Sequence, residues 1–225
     1  MKAKQSKKDK ESAMENYLVS HGILTKKSSQ ESKSAQVLLS IQPDLFELKQ
    51  KQPSKYVDYL WHKAIEDPRL ERDVRGKFFE LLIACCLIRN EIVPFFWQAQ
   101  LEFVPLANFD LVIYTVERGP IVLSLKTSIR ERYKQAEFEA QAMKDVHRRA
   151  MNFLITMDKD ESTALQNNID SGILTGIDGV AVANESSFDE IINFLKTLTI
   201  VDTPVFSAVK NPQKIEYKGN SLIRN

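Results

Sequence analysis

Cysteine is scarce in this chain: of 225 residues only Cys85 and Cys86 carry thiols, adjacent to one another within an apolar run. Neighbouring thiols cannot easily pair and have no metal-ligand spacing, so the two read as core residues in a reducing compartment. Seven glycines provide no glycine-rich phosphate loop, which leaves a nucleotide-binding fold with little support. The three histidines, His21, His62 and His147, show neither triad nor metal spacing. No apolar run approaches the length of a membrane span, and the lysine-rich N-terminus lacks the apolar stretch of a signal peptide, so a cytoplasmic protein is expected. An excess of one charge is missing too. With 31 Lys+Arg against 30 Asp+Glu, net +1, any contact with nucleic acid must come from a local concentration of charge.

What is present fits one globular core. A hydrophobic content of 43% and a charged content of 27% are ordinary for a folded domain of this length. Residues 1–12 read as a basic flexible arm carrying Lys2, Lys4, Lys7, Lys8 and Lys10, and residues 13–67 as an N-terminal helical region with amphipathic patterns at 13–24, 35–50 and 53–67. A nearly continuous apolar pattern over 72–90 predicts a buried helix. The period then changes to short β-branched and aromatic runs at 95–103, 108–115 and 121–126, the last two joined by Glu117-Arg118-Gly119-Pro120. This predicts an antiparallel meander. A long helix is expected from Ser128 to about Met151, with Ser128 and Glu131 in capping-box spacing. Strands at 153–157 and 179–183, a helix at 188–197 and a strand-like piece near 200–209 follow. The predicted class is α/β with a mixed sheet: helix, three strands, helix, strand, with extra N-terminal helices.

Two groups of residues carry chemistry. Asp110 opens an otherwise apolar strand, where a carboxylate is costly unless something compensates it, and a divalent cation is one compensator. On the next strand, alternation places Ser124 and Lys126 on one face, so that Lys126 can approach Asp110 across the hairpin. A carboxylate and an ammonium beside a metal ion suit phosphodiester hydrolysis. A second acid is expected nearby. Glu137 and Glu139 lie about 200° apart around the following helix, so at most one is expected to face inward. Glu80, on the buried helix, is a further candidate. The second group is Arg130-Glu131-Arg132: arginine pairs bidentately with guanine O6 and N7, and glutamate accepts from cytosine N4.

Asp110, Ser124-x-Lys126, Arg130-Glu131-Arg132 and Glu139 together resemble the PD-(D/E)XK nucleases, in the variant found in type II restriction endonucleases of the CCGG, CCNGG and CCWGG group. In that variant the acid two places before the lysine is replaced, often by serine, here Ser124, and a glutamate of the next helix supplies the missing carboxylate, here Glu139. The likeness spans residues 72–157, within a nuclease core at 68–225. Phe109 stands where proline commonly precedes the acid, and the interval from Asp110 to Lys126 is short for the group. The resemblance implies catalytic Asp110, Lys126, Glu139 and Glu80, with Asp110 and Glu139 as ligands of Mg2+. It further implies base readout by Arg130, Glu131 and Arg132, double-stranded DNA as partner, a homodimer on a palindrome, and a companion DNA methyltransferase encoded nearby.

Each residue also has a plainer reading. Asp110 can be a strand-end acid, Glu131 a capping residue, Arg130 and Arg132 a solvated first turn, and Glu80 the partner of an arginine such as Arg75. Trp61 and Trp97 read as core aromatics. The same fold also serves nucleases that act on DNA structure, and catalytically inert DNA-binding proteins.

Overall fold

The computed structural model describes residues 14–27, 32–42, 44–45, 48, 51–101, 104, 107–202, 209–210 and 213–215. The expected basic arm lies outside them, as does the second half of the pattern at 35–50 apart from a few positions. After a helical segment at 14–20, the elements are α1 (Lys33–Ile41), α2 (Pro53–Ile65), α3 (Arg75–Arg89), β1 (Phe95–Leu101), β2 (Phe109–Thr115), β3 (Gly119–Lys126), α4 (Arg132–Val146), β4 (Met151–Thr156), α5 (Lys159–Asp170), β5 (Gly179–Val182) and α6 (Ser186–Lys196). Short strands β6 (Val209–Lys210) and β7 (Gln213–Ile215) complete the series.

The strands form one mixed sheet in the order β5-β4-β3-β2-β1-β6, with β7 also pairing β1. The expected meander is present, antiparallel between β1 and β2 and between β2 and β3. β4 and β5 are parallel additions, each reached through a helix. Strand alternation divides the apolar side chains between separate clusters. Leu111, Ile113, Leu123 and Leu125 join the main core with α3, whereas Val112, Tyr114 and Val122 join a second cluster with Met143 of α4. The α3 helix is buried almost all round, from Phe78 and Phe79 through Leu81–Ile88, as its unbroken apolar pattern requires. Cys85 and Cys86 are free thiols inside it, pushed up to about 12 by burial first of all. Trp97 is buried and Trp61 packs against Phe79, ring centroids 5.8 Å apart. No helix among the described residues is long and apolar enough to cross a membrane.

Three elements differ from the sequence-based expectation. The first helix ends at Ile41 with Gln42 as its cap, and Pro43 follows; a proline disfavours helical geometry in the residue before it and lacks the N–H that would continue the ladder. The α5 helix went unpredicted because 12 residues, KDESTALQNNID, bury little more than Ser162 and Leu165 and so show a weak period. Its start is nevertheless encoded: the Asp158 carboxylate accepts from the Glu161 amide at 3.2 Å. Finally, α4 begins at Arg132, not Ser128. Its capping residue, Glu131, has helical backbone angles and makes no side-chain cap, so the anticipated capping box does not form.

The two glutamates of α4 correct another expectation. Both Glu137 and Glu139 are buried, each 8% exposed, because α4 is covered on two sides. The Glu137 carboxylate accepts the backbone amides of Thr175, Gly176 and Ile177 at 2.9, 2.8 and 2.9 Å, and the Gln141 side chain at 2.9 Å. Gly176 lets the loop come this close, since a Cβ there would lie 2.7 Å from the Glu137 carbonyl oxygen. Burial alone would raise the Glu137 pKa, but the amides outweigh it and hold the carboxyl below the usual glutamate range. A depressed folded-state pKa gives stability that is full above the ordinary glutamate value and is lost as pH falls through the folded value. Glu137→Gln is therefore expected to cost about 1–3 kcal/mol near neutral pH, and to flatten the acid limb of the stability curve. Denaturant melts across an acid pH series check both; an acid limb as steep as that of the parent chain would assign the limb to other groups.

Candidate active site

The strand register builds the site row by row. β1 and β2 pair Trp97 with Leu111 and Ala99 with Phe109, which sets Gln98 opposite Asp110. β2 and β3 pair Leu111 with Leu123, so the next position places Ser124 beside Asp110, and Lys126 follows two residues on along the same face. Where the β2–β3 backbone pairing stops, the Asp110 side chain takes over: its Oδ2 accepts the Leu125 amide at 2.7 Å and the Lys126 ammonium at 2.9 Å. The ion pair is nearly enclosed, with side chains 13% and 15% exposed. Asp110 and Lys126 therefore meet as expected across the hairpin.

Glu139 enters from α4. Its Oε1 accepts the Gln135 amide nitrogen at 2.8 Å, one turn earlier. Burial raises its pKa above the usual glutamate value, opposed by Gln135 and by the charge of Lys126, and reinforced by the charge of Asp110. Glu80 enters from α3, accepting Lys77 Nζ at 2.8 Å and the Gln98 side chain at 3.0 Å. Its pKa is also raised, by burial first, then with Lys77 and Lys126 lowering it and Asp110 raising it. Each glutamate thus feels both Asp110 and Lys126, so residues from α3, β2, β3 and α4 share one electrostatic neighbourhood. The suggested Glu80–Arg75 pair does not occur: Arg75 Nε donates to the Leu70 carbonyl at 3.4 Å, and Lys77 takes its place beside Glu80. Asn108, donating to Gln98 at 2.7 Å, extends this network outward.

Ser124 lines a small cavity with Glu139, Ala136 and Asn152. The Asn152 Oδ1 atom is buried and has no hydrogen-bond partner among the described residues. Among the described residues no three His, Cys, Asp or Glu side chains form a ready-made metal cage. Magnesium does not require one, because it keeps several waters and is held by one or two carboxylates together with substrate phosphate. An all-oxygen donor pair, Asp110 and Glu139, fits that ion better than a soft or imidazole-bound metal.

The Arg-Glu-Arg segment is exposed in the turn between β3 and α4. Arg130 stands at φ 30°, a left-handed conformation unusual for a residue with a side chain. Its side chain is 73% exposed. Glu131 pairs with Lys134 on the surface instead of capping the helix. Arg132 is exposed at the first turn of α4. Sequence reasoning missed Glu161 of α5, whose carboxylate accepts the Arg130 amide and lies 3.8 Å from the Arg130 Nε. Its only sequence signal was the spacing Asp158-x-x-Glu161.

The mixed α/β sheet with its flanking helices matches a restriction-endonuclease-like fold. Among solved structures the chain resembles "Restriction endonuclease PspGI-substrate DNA complex", with a TM-score of 0.53 and 17% identity over 82% of this chain and 88% of that one. No family model matches the chain, and no curated protein matches it.

The Asp110–Lys126 contact is testable without any substrate. In a double-mutant cycle of Asp110→Asn and Lys126→Met, a coupling of about 1.5–3 kcal/mol is expected for a charge-assisted bond shielded from water. Urea melts measure it, and additive effects of the two changes would mean that the pair does not form in solution.

Proposed function

We propose that this chain is a type II restriction endonuclease: a Mg2+-dependent, site-specific deoxyribonuclease that hydrolyses both strands of duplex DNA at a short G·C-containing palindrome. One observation carries this reading. Asp110 and Lys126 sit 2.9 Å apart on paired strands, with Glu139 buried in the same electrostatic neighbourhood from the following helix. The likeness in fold to an endonuclease solved with substrate DNA supports it.

Asp110 and Glu139 would hold Mg2+, which when bound lowers the pKa of the attacking water and offsets charge on the phosphate. Lys126, kept in place by Asp110, presents its ammonium to the scissile phosphate and stabilises the negative charge that builds up during attack. Glu80, steadied by Lys77 and Gln98, supports the same centre. Ser124 occupies the position of the replaced acid, where it leaves room for Glu139. Arg130, Glu131 and Arg132, exposed just beyond Lys126, read G·C pairs in the major groove. Because only a few residues separate Lys126 from the readers, correct pairing with bases sets the phosphate against the lysine. A palindrome cut on both strands calls for two-fold symmetry, hence a homodimer. The N-terminal helical region, 13–67, serves that dimer or grips DNA, and a methyltransferase encoded nearby protects the host in the cytoplasm.

Phage DNA incubated with Mg2+ is expected to give discrete bands whose sequenced ends share one short site. Lys126→Ala and Glu139→Ala should each lower the cleavage rate by at least about 100-fold, the size of effect seen when one transition-state stabiliser is lost. A smear would favour a nuclease acting on structure, and intact DNA an inert DNA-binding protein. Either result overturns the site-specific reading.

Cation binding should also report on Glu139. Since burial raises its pKa, it keeps its proton to higher pH than an ordinary glutamate, and a cation must displace that proton. Affinity for Mn2+ or Mg2+ is therefore expected to rise with pH above the ordinary value of about 4.3. Calorimetry in buffers of different ionisation enthalpy should show proton release, with both effects absent in Glu139→Gln. Proton release unchanged in that variant would remove Glu139 from the ligand set.

A further inference from the structure

We infer that Glu161 is a positioning residue for base readout, fixing both the backbone and the guanidinium of Arg130 from the neighbouring helix. The inference rests on the reading of Arg130 as a contact to a G·C pair, and adds a residue that neither the Arg-Glu-Arg segment nor the catalytic acids contain. Its basis is topological. β3 and β4 are parallel, with Lys126 opposite Thr156, so the connections that leave their carboxyl ends lie side by side. The first connection carries Arg130; the second leads into α5, whose first turn carries Glu161. The Thr156 hydroxyl accepts the Asp158 amide at 3.0 Å, and the Asp158 carboxylate accepts the Glu161 amide at 3.2 Å. Glu161 is thereby tied back to the end of β4 through two short links.

From this base its carboxylate crosses to the other connection. One oxygen accepts the Arg130 backbone amide, and the other lies 3.8 Å from Nε. An acid in the first turn of a helix is favoured there by the helix dipole alone. That preference explains its place in α5, but not its reach to the amide of a turn 31 residues earlier. Arg130 needs the help: at φ 30° its backbone is in a region that residues with a Cβ rarely occupy unless the surroundings hold them there. The contact also has a useful direction. Glu161 approaches the guanidinium at Nε, and the two terminal amino groups form a second edge. That edge is the one needed for a bidentate bond to guanine O6 and N7. The acid thus acts as a fixed support that presents the fork without consuming it.

The test uses the full-length chain, with Ca2+ replacing Mg2+ to suppress hydrolysis. The probes are the duplex that the parent protein enriches from a randomised library, the same duplex with single G·C pairs replaced by A·T, and a scrambled duplex. Glu161→Ala is expected to lower discrimination against one replaced G·C pair by about 10-fold, within the range carried by one bidentate arginine contact. Affinity for the scrambled duplex should stay the same or rise, because an acid has been removed near the DNA. Glu161→Gln, which can still accept the backbone amide, should lose less. Hydrogen exchange in a peptide covering residues 127–131 should speed up in Glu161→Ala and be nearly unaffected in Glu161→Gln. Damage to the fold as a whole would instead weaken both cognate and scrambled binding. If Arg130→Ala lowers discrimination and neither Glu161 variant does, the positioning role is wrong and base reading by Arg130 stands. If Arg130→Ala itself leaves discrimination intact, the reading of Arg130 fails first.

Discussion

The Asp110 carboxylate is the interaction on which the rest of the site depends. By accepting the Leu125 amide and the Lys126 ammonium together, it stands in for a strand partner at the end of the β2–β3 ladder and holds an ammonium in a nearly enclosed position. An unpaired charge there would be costly, and so would an unbonded amide. A single oxygen removes both penalties. It also fixes the distance between the acid and the lysine.

The surrounding elements follow from that anchor. Glu139 and Glu80 approach from helices on α4 and α3, and each has its proton affinity raised chiefly by burial. Asp110, Glu139 and Glu80 are three carboxylates against two lysines, Lys126 and Lys77, in a partly dry site. Gln135 and Gln98 offset part of the imbalance through hydrogen bonds. A bound divalent cation would offset more. Glu137 shows the opposite solution two residues from Glu139: it is equally buried but satisfied by three backbone amides, and so is spent on fixing α4 to the loop at 175–177. Neighbouring glutamates on one helix thus meet different surroundings, Glu137 the loop amides and Glu139 the charges of Lys126 and Asp110.

The exposed turn beyond Lys126 joins that lysine to Arg130, Glu131 and Arg132 through a short piece of backbone in an uncommon conformation. Such a turn is only as precise as the contacts that hold it. The parallel pairing of β3 with β4 brings the start of α5 alongside, and Glu161 with it. The turn is thereby held by a contact from a neighbouring helix.

By itself the sequence determined the elements whose pattern is strong: the all-round apolar helix α3, the three β-rich runs of the meander, and the Asp110–Lys126 encounter, since alternation and a short turn leave a hairpin little choice of register. Helical spacing left Glu137 and Glu139 as alternatives, and only the family resemblance pointed to Glu139. Tertiary structure alone decided which way the α4 glutamates are used, because two residues some 200° apart can both be buried once a loop covers the second face. It decided that Glu80 pairs with Lys77 and Gln98 and not with Arg75, that Glu131 does not cap α4, and that Glu161 meets Arg130 across 31 residues of chain. Local pattern is set by the period of a single element. Partners of polar side chains are set by which elements the sheet order makes neighbours, and β4 slots in beside β3 only when the chain has folded.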